Sequence, residues 1–108
     1  MNEYPRAPGR KAGIAALADH RDRIDVRSPA EFAEDHIPGA INVDFNAPDF
    51  QKKVAELDKS KTYLVHCAGG VRSAKACTLM DKSAFTNLFN LDPGFRAWEK
   101  AGKPVEKK

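Results

Sequence analysis

Thr62-Tyr63-Leu64-Val65-His66-Cys67-Ala68-Gly69-Gly70-Val71-Arg72-Ser73 is the stretch on which the fold turns. Its first five residues are β-branched, aromatic and apolar, the composition of a strand, and they follow the polar Lys59-Ser60-Lys61. Gly69 and Gly70 let the chain turn sharply, and Val71 to about Lys82 reads as a helix.

The same alternation extends outward. Upstream, Ile24-Asp25-Val26 is of strand type, expected to begin just after the charged Arg23. Ser28-Pro29-Ala30-Glu31 places serine at an N-cap, proline at the first helical position and glutamate at the third, a capping box opening a helix to about Asp35. Pro38-Gly39 turns the chain into a strand at Ala40-Ile41-Asn42-Val43. Asn46-Ala47-Pro48-Asp49 starts a further helix, with Phe50, Val54 and Leu57 at helical spacing. Downstream, Leu88-Phe89-Asn90-Leu91 is a strand ended by Asp92-Pro93-Gly94, and a closing helix from Phe95 to Ala101 carries Trp98 and stops at Gly102. At the other end, Met1–Lys11 reads as a loose or docked arm and Ala12–Ala18 as a short helix. The connection from Ala18 to Ile24 leaves little room for a first edge strand. Strands and helices in alternation predict an α/β fold, a mostly parallel sheet of four to five strands with helices on both faces. Ligands of such sheets bind beyond the carboxyl ends of the strands, where Cys67 lies.

The chain has 108 residues, 42% apolar and 31% charged, as expected of one domain spanning 1–108. Its net charge is +3 with Lys and Arg scattered, which argues against nucleic acid and leaves room for a small anion. No apolar run approaches the roughly 18 residues of a membrane helix. The two cysteines, Cys67 and Cys77, form no Cys-x-x-Cys pair, and His20, His36 and His66 lack metal-ligand spacing, so no metal is expected. Two free thiols point to a reducing compartment, the cytoplasm, or the periplasm had a leader been removed.

Cys67 is the candidate nucleophile. Glycine-rich backbone can turn successive N–H groups inward, the following helix contributes its positive end, and Arg72 adds a forked cation suited to oxyanions. Ala68, Gly69, Gly70, Val71 and Arg72 therefore form a candidate anion-binding loop that favours a thiolate. His66, next along the strand, faces the other way and is not needed as a base. Asp25 and Arg27 share a face, where Arg27 can add positive potential or pair with Asp25 or Glu31. Cys77 reads as a small core residue, the alternative being a resolving thiol for Cys67. His36 and Trp98 read as structural, and Arg96 as a surface charge and only weakly a substrate contact.

Cys67-Ala68-Gly69-Gly70-Val71-Arg72-Ser73 also resembles the active-site loop of the single-domain rhodaneses, a family of sulfurtransferases. Asp25-Val26-Arg27-Ser28-Pro29-Ala30-Glu31-Phe32, with His36-Ile37-Pro38-Gly39-Ala40-Ile41-Asn42, is similar to a second hallmark of that family, and Leu91-Asp92-Pro93-Gly94-Phe95-Arg96-Ala97-Trp98 to its C-terminal signature. The resemblance implies a rhodanese-like fold and a cofactor-free reaction. A Cys67 thiolate takes sulfur from a donor such as thiosulfate and passes it as a persulfide to cyanide or a thiol, or along a relay to a partner protein. The loop from Ala68 to Arg72 holds the sulfur, Arg72 orients the donor, and Asp25, Arg27 and Ser73 support them. The chain departs from the family at Pro93, where a glycine is frequent, and at Arg23, where an apolar residue is common. Cysteine phosphatases and arsenate reductases are the rival enzymes, but they place one residue more between cysteine and arginine. A non-catalytic docking module, the other rival, would be expected to have lost Cys67.

Overall fold

A computed structural model describes residues 10–12, 22–85, 87–91 and 94–107. Its main sheet has five strands: β1 (Arg10–Ala12), β2 (Arg23–Asp25), β4 (Ile41–Asn42), β5 (Thr62–His66) and β6 (Asn87–Leu91). They lie in the order β1-β6-β5-β2-β4, and every pairing is parallel. Helices α1 (Pro29–Glu34), α2 (Phe50–Ala55), α3 (Val71–Lys82) and α4 (Phe95–Lys100) follow strands or connect them. Because the strands are parallel, Asp25, His66, Leu91 and the turns after them emerge at one edge of the sheet.

The deciding stretch folds as its composition dictates. Thr62–His66 is a strand from end to end and Val71–Lys82 a helix of 12 residues. Strand alternation splits the apolar residues between two cores. Ile24, Val26, Val43, Tyr63, Val65 and Cys67 pack with Phe50 and Val54 of α2 and with Ala76, Cys77 and Met80 of α3. On the other face Leu64 and Leu91 meet Ile37 and, from α4, Phe95 and Trp98. Helices thus cover both faces. The expected capping box also forms: the Ser28 hydroxyl accepts from the Glu31 N–H at 3.2 Å, and Glu31 Oε1 accepts from the Ser28 N–H at 3.0 Å.

Three expectations need correction, and one further pairing was not expected. An edge strand exists, but at Arg10–Ala12, so Arg10 and Lys11 are docked on the sheet and not loose, and Ala12 is not helical. Parallel pairing with β6 supplies the order that composition could not reveal. The rest of the expected arm and helix, residues 1–9 and 13–18, and Pro93 lie outside the described residues. Strand β2 begins at Arg23, not after it. There the Arg23 Nη1 donates to the Pro38 carbonyl at 3.0 Å and the guanidinium stands 6.0 Å from the Trp98 ring centre, so the stem is covered while the charge finds partners. The helix expected from Asn46–Asp49 begins at Phe50, where Asp49 makes no side-chain cap. Finally, β3 (Asp35–His36) and β7 (Glu106–Lys107) form a short antiparallel ladder, invisible in residues that carry no apolar alternation. Among the described residues no helix is long and apolar enough to cross a membrane.

Candidate active site

Cys67 follows directly on β5 at the carboxyl edge of the sheet, its residue only 1% exposed. Its sulfur is the centre of a converging donor set. The Gly70 N–H donates to Sγ at 3.0 Å and the Ser73 N–H at 3.4 Å, while the Ser73 hydroxyl lies 3.4 Å away. Gly70 makes this possible by standing at φ 101°, a left-handed conformation that aims its N–H back into the loop at the start of α3. Burial by itself pushes the Cys67 thiol up. Hydrogen bonds from the Ser73 hydroxyl and the N–H groups of Ser73, Gly70 and Gly69 outweigh it and bring the thiol below its ordinary value. Cys77 has no such donors: burial and the neighbouring Cys67 push it up to about 12, and it sits fully buried in the core.

The rest of the loop divides by position. Gly69 and Val71 are exposed, Ala68 is half-buried, and Arg72 points its guanidinium at Glu31 of α1, Nη1 to Oε1 at 2.7 Å and Nη2 to Oε2 at 3.1 Å. The capping-box glutamate therefore also orients the loop arginine. Hydrogen bonds from Arg72 chiefly hold the Glu31 carboxyl at about 2.

Asp25 and Arg27 come together as expected, and Glu31 goes to Arg72 instead. The Arg27 Nε donates to both Asp25 oxygens at 3.0 Å and Nη2 to Oδ2 at 2.8 Å, with Arg27 4% exposed and Asp25 fully buried. Nη2 also reaches the Asp35 carbonyl at 2.6 Å, and the guanidinium lies 4.2 Å from the centre of the Phe95 ring. Asn42 Nδ2 closes the corner by donating to the carbonyls of Asp25 and Arg27. His66 turns away from Cys67, its Nε2 3.5 Å from Asp25 Oδ2. Burial would raise the Asp25 carboxyl. The His66 ring and Arg27 more than reverse that and hold it at about 2.

The Asp25 value sets a pH dependence. A carboxyl at about 2 in the folded chain against 3.8 unfolded stabilises the fold above pH 4, and that contribution is lost as pH falls from about 4 toward 2. Arg27→Met leaves the Asp25 charge buried without its main partner, so urea titrations at pH 7 should show a loss of roughly 3–5 kcal/mol. The variant should regain stability on mild acidification, as the stranded carboxyl takes up a proton. A variant as stable as the parent at pH 7 would refute this account.

Two residues beside the sulfur were not among the candidate site residues. Asn90 of β6 is 5% exposed and accepts a 2.5 Å hydrogen bond from the Ser73 hydroxyl on Oδ1. A polar residue inside the apolar run Leu88-Phe89-Asn90-Leu91 was the available signal. Gly94, at φ 116°, lies against the backbone of the loop, where the Phe95 N–H donates to the Cys67 carbonyl at 2.8 Å and the Arg96 N–H to the Ala68 carbonyl at 3.3 Å. Arg96, read as a surface charge, serves here through its backbone.

The chain is similar to known proteins. The family described as the rhodanese-like domain matches residues 12–101. Thiosulfate sulfurtransferase 16 of Arabidopsis thaliana, a chloroplastic protein, is 37% identical over 98% of this chain and 99% of its own length. Thiosulfate sulfurtransferase GlpE of Pseudomonas syringae is 30% identical over 91% of this chain and 90% of its own. A crystal structure of a rhodanese-related protein from Thermoplasma volcanium superposes with a TM-score of 0.82 at 27% identity, covering 92% of this chain and 99% of that one.

Proposed function

Because the chain belongs to the rhodanese-like domain family, with relatives named as sulfurtransferases, we propose that Cys67 carries sulfane sulfur as a persulfide from a thiosulfate-like anion to cyanide or a thiol. The observation that carries this reading is the sulfur itself, buried yet met by the N–H groups of Gly70 and Ser73 and lowered below an ordinary thiol. A packed structural cysteine has no use for such donors, whereas Cys77, buried without them and beside Cys67, is pushed up.

The reaction needs only this chain's groups. The Cys67 thiolate attacks the outer sulfur of thiosulfate, a bond forms between the two sulfurs, and sulfite leaves with the electron pair of the broken S–S bond. The charge then rests on the outer persulfide sulfur. Cyanide attacks that sulfur, departs as thiocyanate, and returns the electron pair to Cys67 as a thiolate. Arg72 faces the incoming dianion, which competes with Glu31 for the same two guanidinium nitrogens. An acceptor presented by a partner protein would meet the exposed Gly69 and Val71 at the rim. Two free thiols suit a reducing compartment.

Intact-protein mass spectrometry tests the reading. Thiosulfate should add one sulfur atom per chain, mapped to Cys67, and cyanide should remove it with release of thiocyanate. An unchanged mass at millimolar thiosulfate, or turnover of p-nitrophenyl phosphate in its place, would overturn it.

A further inference from the structure

Asn90 holds both residues that hold the sulfur. Its Oδ1 accepts from the Ser73 hydroxyl at 2.5 Å, and its Nδ2 stands 3.4 Å from the Gly70 carbonyl, which also accepts from the Ala74 N–H. An acceptor on one side and a hydroxyl on the other fix which way the amide is turned. The Ser73 hydroxyl has one proton and two claimants, Asn90 Oδ1 and Cys67 Sγ. All three groups are buried, so water cannot supply the loser.

We propose that Asn90 is a positioning residue for the sulfur chemistry of Cys67, taking the Ser73 hydroxyl proton whenever Sγ is neutral and yielding it when Sγ is a thiolate. Resting on the sulfurtransferase function proposed above, the device has a defined place in the cycle. In the free enzyme the charge sits on Sγ, and the Ser73 hydroxyl donates to it. In the persulfide the charge has moved to the outer sulfur, Sγ is a neutral bridging atom, and the hydroxyl turns back to Asn90. No covalent bond to the hydroxyl proton breaks in this exchange; only its hydrogen-bond partner changes. Asn90 thus favours the loaded form over the bare thiolate, and opposes a resting thiolate so stable that it is a poor nucleophile.

The sign separates this role from simple support of the loop. Asn90→Leu removes the acceptor while keeping the branching of the side chain and leaves the Ser73 proton to the sulfur alone. The pH profile of Cys67 alkylation should then move to lower pH by about half to one unit, the size of one neutral hydrogen bond. The titratable groups coupled to Cys67 are Arg72, with its Glu31 partner, and Cys77; these, and the Asp25, His66 and Arg27 cluster on the other face of the sheet, keep their residues in the variant. If Asn90 only braced the loop, its loss would loosen the N–H donors and move the profile to higher pH. In a Ser73→Ala background Asn90→Leu should produce no downward shift. Less sulfite should be needed to discharge the loaded variant, by roughly three- to tenfold. Asn90→Ala, which also lacks the acceptor, replaces Asn90→Leu should that variant fail to fold. An upward shift, no shift, or an equal shift in both backgrounds overturns the proposal. Alkylation requires no sulfur transfer, so failure of the parent to load from thiosulfate would count against the proposed function and leave the Asn90 result readable.

Discussion

Replacing Cys67 by serine is expected to leave a folded protein that takes up no sulfur from thiosulfate. The hydroxyl occupies nearly the same space and finds the same donors, the Gly70 and Ser73 N–H groups, so the change in stability should stay within about 1 kcal/mol. Chemistry fails because a serine hydroxyl does not ionise where a thiol does, and the loop contains no base to deprotonate it. His66 is adjacent in sequence but lies on the opposite face beside Asp25. The loss in loading rate should be at least about 10³-fold. Cys77 cannot substitute, since burial, the larger of the two causes that raise its thiol, persists when Cys67 is replaced and keeps it neutral at physiological pH. Sulfur found on Cys77 in the Cys67→Ser protein would contradict both the assignment and the electrostatic argument for it.

A second large effect is expected far from the nucleophile in sequence. A Cβ placed on Gly94 would stand 2.6 Å from the Cys67 carbonyl oxygen and 2.9 Å from that of Ala68. Both are backbone atoms, so no side chain can rotate away; the active loop itself must shift. The residue also holds φ 116°, which side chains rarely adopt. Gly94→Ala should cost roughly 2–4 kcal/mol, strain and overpacking together. Displacing the Cys67 carbonyl would in turn misplace the sulfur against its N–H donors, with a loss of about 10²-fold in loading rate. Paired urea unfolding and loading measurements would decide it. Loading at the parental rate in a folded Gly94→Ala protein would mean that the 94–96 turn does not set the loop.

These two predictions differ in how legible they were. Cys67 announces itself within seven consecutive residues, because a cysteine, two glycines and an arginine between a strand and a helix have few other uses. Gly94 sits in a recognisable signature, yet nothing in that signature says what its missing side chain avoids. Pairing of Arg27 could be narrowed to Asp25 or Glu31, and the choice waited on Arg72, which claims Glu31 from 41 residues away. Asn90 was present as a polar interruption of an apolar strand, without a partner to explain it.

What the sequence determined by itself is what acts over a few residues. The strand Thr62–His66, the helix Val71–Lys82, the capping box at Ser28 and the glycine turn that aims N–H groups at Cys67 all follow from local conformational preference and hydrogen bonding. Their alternation then left a mostly parallel sheet as the economical solution. Tertiary structure alone decided the neighbours of that sulfur. The edge strand Arg10–Ala12 depends on pairing with β6, and Asn90 reaches Ser73 because β6 lies beside β5 in a register that sets Asn90 against Val65. Glu31 meets Arg72, and Gly94 meets Cys67, only after separate βα turns arrive at one sheet edge. Such contacts depend on where parallel strands stop relative to one another, a property of the assembled sheet that no short run of residues encodes.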